Sequence, residues 1–279
     1  MKKHFILYLD ILGFSNLIDT PDQALEVLRI VDSLNVHRHD AFEVVFFSDT
    51  LLVFNKFEIQ SEADSRYAVM FLCEFAQDLL FRSLGKGYFF RGIVTHGDFH
   101  RERMRNVDTF FGPATRDAHK AEKELKAVGL FIDNYCLQFS SVFHARRYNE
   151  GFSFVFLTQA ISGLHFHHNS PANNAGSSPK SDEDAGVAFP LDWILVFASG
   201  LEDVLTKECS FLSSIGCAMK TQIDEPIRRK YETTWGLYKD QYPTFMKAFV
   251  DAGMQPDFIS QGDWSEAKAS LQEWESQRY

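Results

Sequence analysis

The segment EVVFFSDTLLVF, residues 43–54, sets two apolar runs on either side of Ser48, Asp49 and Thr50. Valine, phenylalanine and leucine on both sides of a short polar break predict an antiparallel hairpin over 43–47 and 51–54. Ser-Asp-Thr suits a turn, because these side chains bond readily to nearby backbone. The same triplet also puts a carboxylate, Asp49, at the tip of an otherwise apolar ribbon.

Upstream of the hairpin, residues 4–11 (HFILYLDI) are continuously apolar apart from His4 and Asp10 and predict a buried strand. A helix follows, with Thr20, Pro21 and Gln23 as its start signature and Ala24, Val27, Leu28, Val31 and Leu34 on one face. Downstream, Ser61 to Asp64 form a capping box for a long helix that turns Ala68, Phe71, Leu72, Phe75 and Leu79 inward. A strand in GYFFRGIVTHGDFH (87–100), a short one near DTFFG (108–112) and a helix opened by Pro113 complete the series. The order β-α-β-β-α-β-β-α predicts an α+β fold, with helices covering one face of a mixed, mostly antiparallel sheet related to the ferredoxin-like fold.

That topology lays the first strand beside the hairpin, so Asp10 and Asp49 approach each other. Two carboxylates at an apolar sheet edge repel and resist desolvation unless a cation lies between them. A magnesium or manganese ion, held by one or two carboxylates and by substrate phosphates, resolves both problems. Taken singly, Asp49 reads equally as a turn residue and Asp10 as a strand end. His96 and His100, with Asp98 between them, alternate onto one strand face, but a fourth metal ligand is lacking and polar strand-edge residues explain them as well.

With 45% hydrophobic and 15% aromatic residues, 279 residues can bury a sizeable core. The 28 basic against 38 acidic residues give a net charge of −10, which disfavours non-specific binding to nucleic acid or to an anionic membrane. The start, MKKHFILYLDILGF, is interrupted by Asp10 and Gly13 and falls short of the ~20 apolar residues of a membrane span. It also lacks an export cleavage pattern, so cytoplasmic residence is expected. Cys73, Cys136, Cys209 and Cys217 form no CxxC pair and read as buried reduced thiols. Residues 169–187, with NSPANNAGSSPKSDEDAG at 169–186, read as a disordered loop. The loop separates a core at 1–168 from residues 188–279, where FPLDWILVFASG (189–200) is expected to supply a completing strand ahead of a helical extension. Trp193, Trp235, Tyr238, Tyr242, Phe245 and Phe249 give that extension its packing surface. HFHHN, 165–169, reads as loop.

Four segments, LYLDILGFS (7–15), FFSDTLLVF (46–54), RGIVTHG (91–97) and FFGPATRDAHKAE (110–122), resemble in order and spacing the catalytic core of class III nucleotidyl cyclases. DILGF matches the family's first metal-binding segment at Asp10, Ile11, Gly13 and Phe14, and Asp49 matches its second metal aspartate. The resemblance implies two Mg2+ or Mn2+ ions held by Asp10, Asp49 and the backbone carbonyl of Ile11. It further implies attack of a nucleoside triphosphate's 3′-oxygen on the α-phosphorus with loss of pyrophosphate. Backbone N–H groups of Gly13, Phe14 and Ser15 are suited to the β- and γ-phosphates.

On the last segment, alignment on Gly112, Ala118 and Glu122 puts Arg116 and Lys120 where the family has an Asn and an Arg that stabilise the transition state, a departure from its pattern. An exposed Arg and Lys four apart also suit an ordinary solvated helix face. Arg91 reads as a phosphate contact or as a half-buried partner for Glu or Asp. At the base-reading positions stand Val45, which cannot hydrogen-bond, and Thr109, which can; the guanine-type Glu is missing. Thr109 or Thr50 could supply part of a uracil site. This altered pocket and the divergent helical tail most resemble the pyrimidine cyclases of bacterial Pycsar antiphage systems. That likeness implies cyclic UMP or cyclic CMP as product, a separate effector protein, and a homodimer with composite active sites.

Overall fold

The computed structural model describes residues 2–14, 21–34, 39–106, 108–162 and 191–258. Ser15, Thr20, His165–Asn169 and the loop at 169–187 lie outside the described residues. The chain divides into two compact units, Met1–Leu157 and Thr158–Tyr279.

The first unit runs β1 (Lys2–Leu12), α1 (Pro21–Asp32), β2 (Phe42–Phe47), β3 (Thr50–Asn55), α2 (Glu62–Arg82), β4 (Phe89–Arg103), β5 (Asp108–Phe111) and α3 (Pro113–Glu124). It continues through β6 (Gly129–Asp133), α4 (Asn134–Leu137), β7 (Ala145–Arg147) and β8 (Phe152–Val155). The strands form one sheet in the order β2-β3-β1-β4-β6-β8-β7, with β5 paired to β4. Neighbours are antiparallel except β4 and β6. The run β2-β3-β1-β4 has the ferredoxin-like order that the sequence predicts.

The hairpin closes through two residues, with Phe47 opposite Thr50 and Ser48 in the left-handed region at φ 57. A positive φ at the first turn position matches the right-handed twist of the flanking strands. The capping box of α2 is present: Ser61 Oγ accepts the Asp64 N–H at 3.1 Å, and Asp64 Oδ2 accepts the Ser61 N–H at 2.9 Å. Phe71 of α2 stacks on Phe42 at 3.8 Å, on the sheet face shared by Phe5 and Asn55.

Helices cover both faces rather than the single face expected. Ala114 of α3 packs with Ile6, Leu52, Phe54 and Phe99 on the face opposite α2. The reason lies in β1, where Phe5, Ile6 and Leu7 are all fully buried, so both faces of the central strand need cover. Strands β6, β7 and β8, which extend the sheet, are short and carry little local signal in the sequence.

The second unit contains α5 (Leu191–Thr221), α6 (Glu225–Gln241) and α7 (Pro243–Asp251). Residues 191–200 are therefore helical, not the completing strand expected. An apolar run of this kind fits strand or helix by periodicity, and its continuation to Thr221 favours the helix. Cys73, Cys136 and Cys209 are buried thiols as expected, whereas Cys217 is exposed. Among the described residues no helix is long and apolar enough to cross a membrane.

Glu208 of α5 is fully buried. Its carboxyl accepts the N–H groups of Ala160 at 2.9 Å and Ile161 at 2.8 Å, and nearby Ser162 Oγ lies 2.6 Å from the Tyr242 hydroxyl. Burial outweighs the two hydrogen bonds and pushes the Glu208 pKa up to about 8. An unfolded chain releases this proton near pH 4.5 while the folded one keeps it until about 8. Glu208 thus contributes stability that is fully present below 4.5 and is lost as pH rises through about 8. Thermal melts between pH 5 and 9 are expected to show that decline, and Glu208→Gln to flatten it. Glu208→Ala, which strands two buried N–H groups, is expected to cost roughly 1–3 kcal/mol per group at pH 5, and less as the wild-type carboxyl ionises near pH 8.

Candidate active site

The C-terminal end of β1 is the centre of the site. Asp10 lies opposite Thr50 of β3 and opposite Arg91 of β4. One residue further along, the Ile11 N–H donates to the Asp49 carbonyl at 3.0 Å, which fixes the hairpin tip against the end of β1. Gly13 then turns the chain at φ 75, a backbone geometry that glycine adopts without strain, and leads into the buried Phe14. Asp10, Ile11, Asp49, Gly13 and Phe14 are thereby brought to one end of the sheet.

Tyr8, two residues before Asp10 on the same strand face, reports on both aspartates. Desolvation is the main cause of its raised pKa; the Asp10 and Asp49 carboxylates push it further up, while the Thr50 hydrogen bond and Arg91 oppose them. The Tyr8 hydroxyl lies 3.0 Å from Nδ1 of His119 and 3.4 Å from Oγ1 of Thr50. Sequence reasoning missed Tyr8 and His119. The two-residue spacing from Asp10 was the available signal for Tyr8, whereas His119 comes from α3 and only the tertiary fold delivers it.

Arg91 is buried, 4% exposed, and has carboxylate neighbours. Its guanidinium pairs closely with Glu122 of α3, donates to the Leu125 carbonyl at 2.7 Å, and sits 3.8 Å from Asp10 Oδ2. Its Nε is buried without a hydrogen-bond partner. Desolvation lowers the Arg91 pKa and Asp10 is the leading opposing influence.

Arg116 and Lys120 are exposed, on the side of α3 away from buried Ala114, Ala118 and Glu122. Arg116 is held by its neighbour Asp117, at 2.8 and 3.1 Å. Both cations face solvent. Val45 packs against the apolar cluster of Ile6, Leu52 and Phe54. Thr109 Oγ1 is buried with no hydrogen-bond partner.

Among the described residues no three His, Cys, Asp or Glu side chains are grouped to hold a metal ion. His96 instead stacks on Tyr135 at 4.6 Å and His100 meets Glu102 at 3.3 Å. The end of β4 curls over the sheet, and Arg101 forms an ion pair with Glu43 of β2 although β1 and β3 lie between the two strands in the sheet.

No family model matches the chain, and no curated protein does. Among solved structures it is similar to the adenylyl cyclase CyaB from P. aeruginosa, at 13% identity over 56% of this chain and 94% of that one, with a TM-score of 0.41. It is also similar to the monomeric guanylyl cyclase domain of the RhoGC fusion protein from the aquatic fungus Blastocladiella emersonii, at 15% identity over 56% of this chain and 95% of that one, with a TM-score of 0.46. A class III adenylyl cyclase-like ATP-binding protein from Pseudomonas aeruginosa is 16% identical over 50% of this chain and 35% of that one, with a TM-score of 0.38.

The seating of α3 depends on Gly112. A β-carbon there would run into the Asp98 carbonyl oxygen and lie 2.9 Å from Phe99 Cα, both backbone atoms. Gly112→Ala is therefore expected to destabilise the fold by roughly 1–3 kcal/mol in chemical denaturation. Gly236→Ala, in α6 where a β-carbon meets nothing within 4 Å, is expected to stabilise by roughly 0.5–1 kcal/mol.

Proposed function

We propose that this chain is a class III-type nucleotidyl cyclase, and within that type a pyrimidine cyclase that converts UTP to 3′,5′-cyclic UMP and pyrophosphate. The observation that carries this reading is the convergence of Asp10 and Asp49 at adjoining strand ends, pinned by the hydrogen bond from Ile11 to the Asp49 carbonyl.

The donor set fits a hard divalent cation. Two carboxylates and a main-chain carbonyl offer only oxygen, the preference of Mg2+ and Mn2+, and substrate phosphates supply the remaining ligands. Asp10, Asp49 and the Ile11 carbonyl would hold two such ions, whose chemistry is to neutralise the triphosphate and acidify the 3′-hydroxyl. Gly13 and Phe14, at the turn leaving β1, present N–H groups to the β- and γ-phosphates, with Ser15 next in the chain. As the 3′-oxygen bonds to the α-phosphorus, the bond from that phosphorus to the pyrophosphate oxygen breaks. Negative charge gathers on the transferring phosphoryl group, and Arg116 and Lys120 are the cations suited to meet it.

Those cations face solvent, which favours a composite site completed by a second copy. Phe47 beside the hairpin tip, and Met104 and Phe111 on and near the β4–β5 arm, are large apolar side chains at 69%, 53% and 51% exposure, the kind of surface that a partner subunit covers. For the base, Val45 offers a purine no hydrogen bond, and the partnerless Thr109 hydroxyl offers a pyrimidine one. The cyclic nucleotide would act on a separate effector protein in antiphage defence.

Incubation of the purified protein with each of the four ribonucleoside triphosphates and Mn2+, with products identified by mass, tests the reading. Cyclic UMP is expected, lost in Asp49→Ala; cyclic CMP or a purine product would move the base assignment, and nucleotide binding without pyrophosphate release would make the chain a binding module. Mixing Asp49→Ala with Arg116→Ala protein is expected to restore turnover at one of the two sites of each mixed dimer. Absence of restoration would argue for a site complete within one chain.

A further inference from the structure

Asp10 and Arg91 face each other across β1 and β4, both on the α3 side of the sheet. A buried guanidinium normally closes on such a carboxylate with hydrogen bonds of about 2.7–2.9 Å. Here the closest approach is 3.8 Å, because Glu122, itself only 8% exposed, takes the guanidinium in close contact and the Leu125 carbonyl holds Nη1 at 2.7 Å. We propose that Glu122 is a positioning residue for metal binding: by engaging Arg91 from α3, it keeps that cation beside Asp10 without letting it occupy the carboxylate.

The proposal rests on the reading of Asp10 as a metal ligand. Arg91 at this distance compensates part of the charge of Asp10 when no ion is present. Drawn closer, it would compete with the ion for the same oxygens. Glu122 fixes the balance, and it does so from the helix that carries Arg116 and Lys120, so the seating of α3 sets how well the end of β1 takes a cation.

Free Mn2+ measured by its electron paramagnetic resonance signal, with full-length protein titrated in without nucleotide, reads the effect without turnover. Wild type is expected to bind Mn2+ and Asp10→Asn to lose that binding. Glu122→Gln, which keeps shape but drops the charge that claims Arg91, is expected to bind roughly tenfold more weakly, the lower end of the range for residues supporting metal ligands. The double variant Glu122→Gln with Arg91→Gln removes the competitor as well and is expected to bind at least as tightly as wild type, a recovery that a merely structural role would not give. Glu122→Gln binding as tightly as wild type, with Asp10→Asn inactive in binding, overturns the proposal and leaves the cyclase reading standing. No Mn2+ binding by wild type overturns both. Should circular dichroism show Glu122→Gln unfolded, the double variant decides alone: wild-type affinity supports the proposal, and loss to the level of Asp10→Asn overturns it.

Discussion

β1 lies between β3 and β4 in a register that sets Asp10 against Thr50 on one side and Arg91 on the other. Side chains alternate along a strand, so a slip of one residue would carry Asp10 to the α2 face and put Leu9 or Ile11 in its place. The slip is resisted by Ile6, Leu7 and Leu9, all fully buried, which would have to exchange environments together. The Ile11 to Asp49 hydrogen bond adds a local clamp at the strand's end. Tyr8, Asp10, Thr50, Arg91 and the hairpin tip are thus located by a single choice of pairing.

The second constraint is electrostatic. A chain with a net charge of −10 gathers Asp10 and Glu122 around one buried arginine, with Tyr8 nearby. Burying a charge is costly unless it is paired and hydrogen-bonded, and Arg91 meets that condition through Glu122 and Leu125 while its Nε stays unsatisfied. Such an arrangement holds the guanidinium in a fixed position beside Asp10.

Much of this was legible in local signals. The hairpin over 43–54, the capping box at Ser61 and Asp64 and Pro113 at the start of α3 follow from residues near one another in sequence, and the ferredoxin-like strand order follows from the succession of elements. What stayed hidden depends on distance along the chain. Tyr8 meets His119 across 111 residues, and nothing near either residue announces the other. Arg91 likewise meets the Leu125 carbonyl across 34 residues. The apolar run at 191–200 was misjudged for a different reason: its hydrophobicity is continuous, so period carries no information, and the decision lay in the residues that follow.

The central position of β1 has a consequence for how the protein is made. β1 is synthesised before both of its neighbours, and Lys2 pairs with Phe99. On a ribosome adding about 5–20 residues per second, the apolar strand waits on the order of 5–20 s for the end of β4. Until β3 emerges HFILYLDIL has two unpaired edges, and the edge that pairs with β4 stays open for the rest of that interval. The nascent chain therefore depends on chaperone shelter or on transient non-native partners until β3 and β4 emerge, and its soluble yield should respond to translation speed between the codons for Leu12 and Arg103 more than to the part of the message that encodes the second unit.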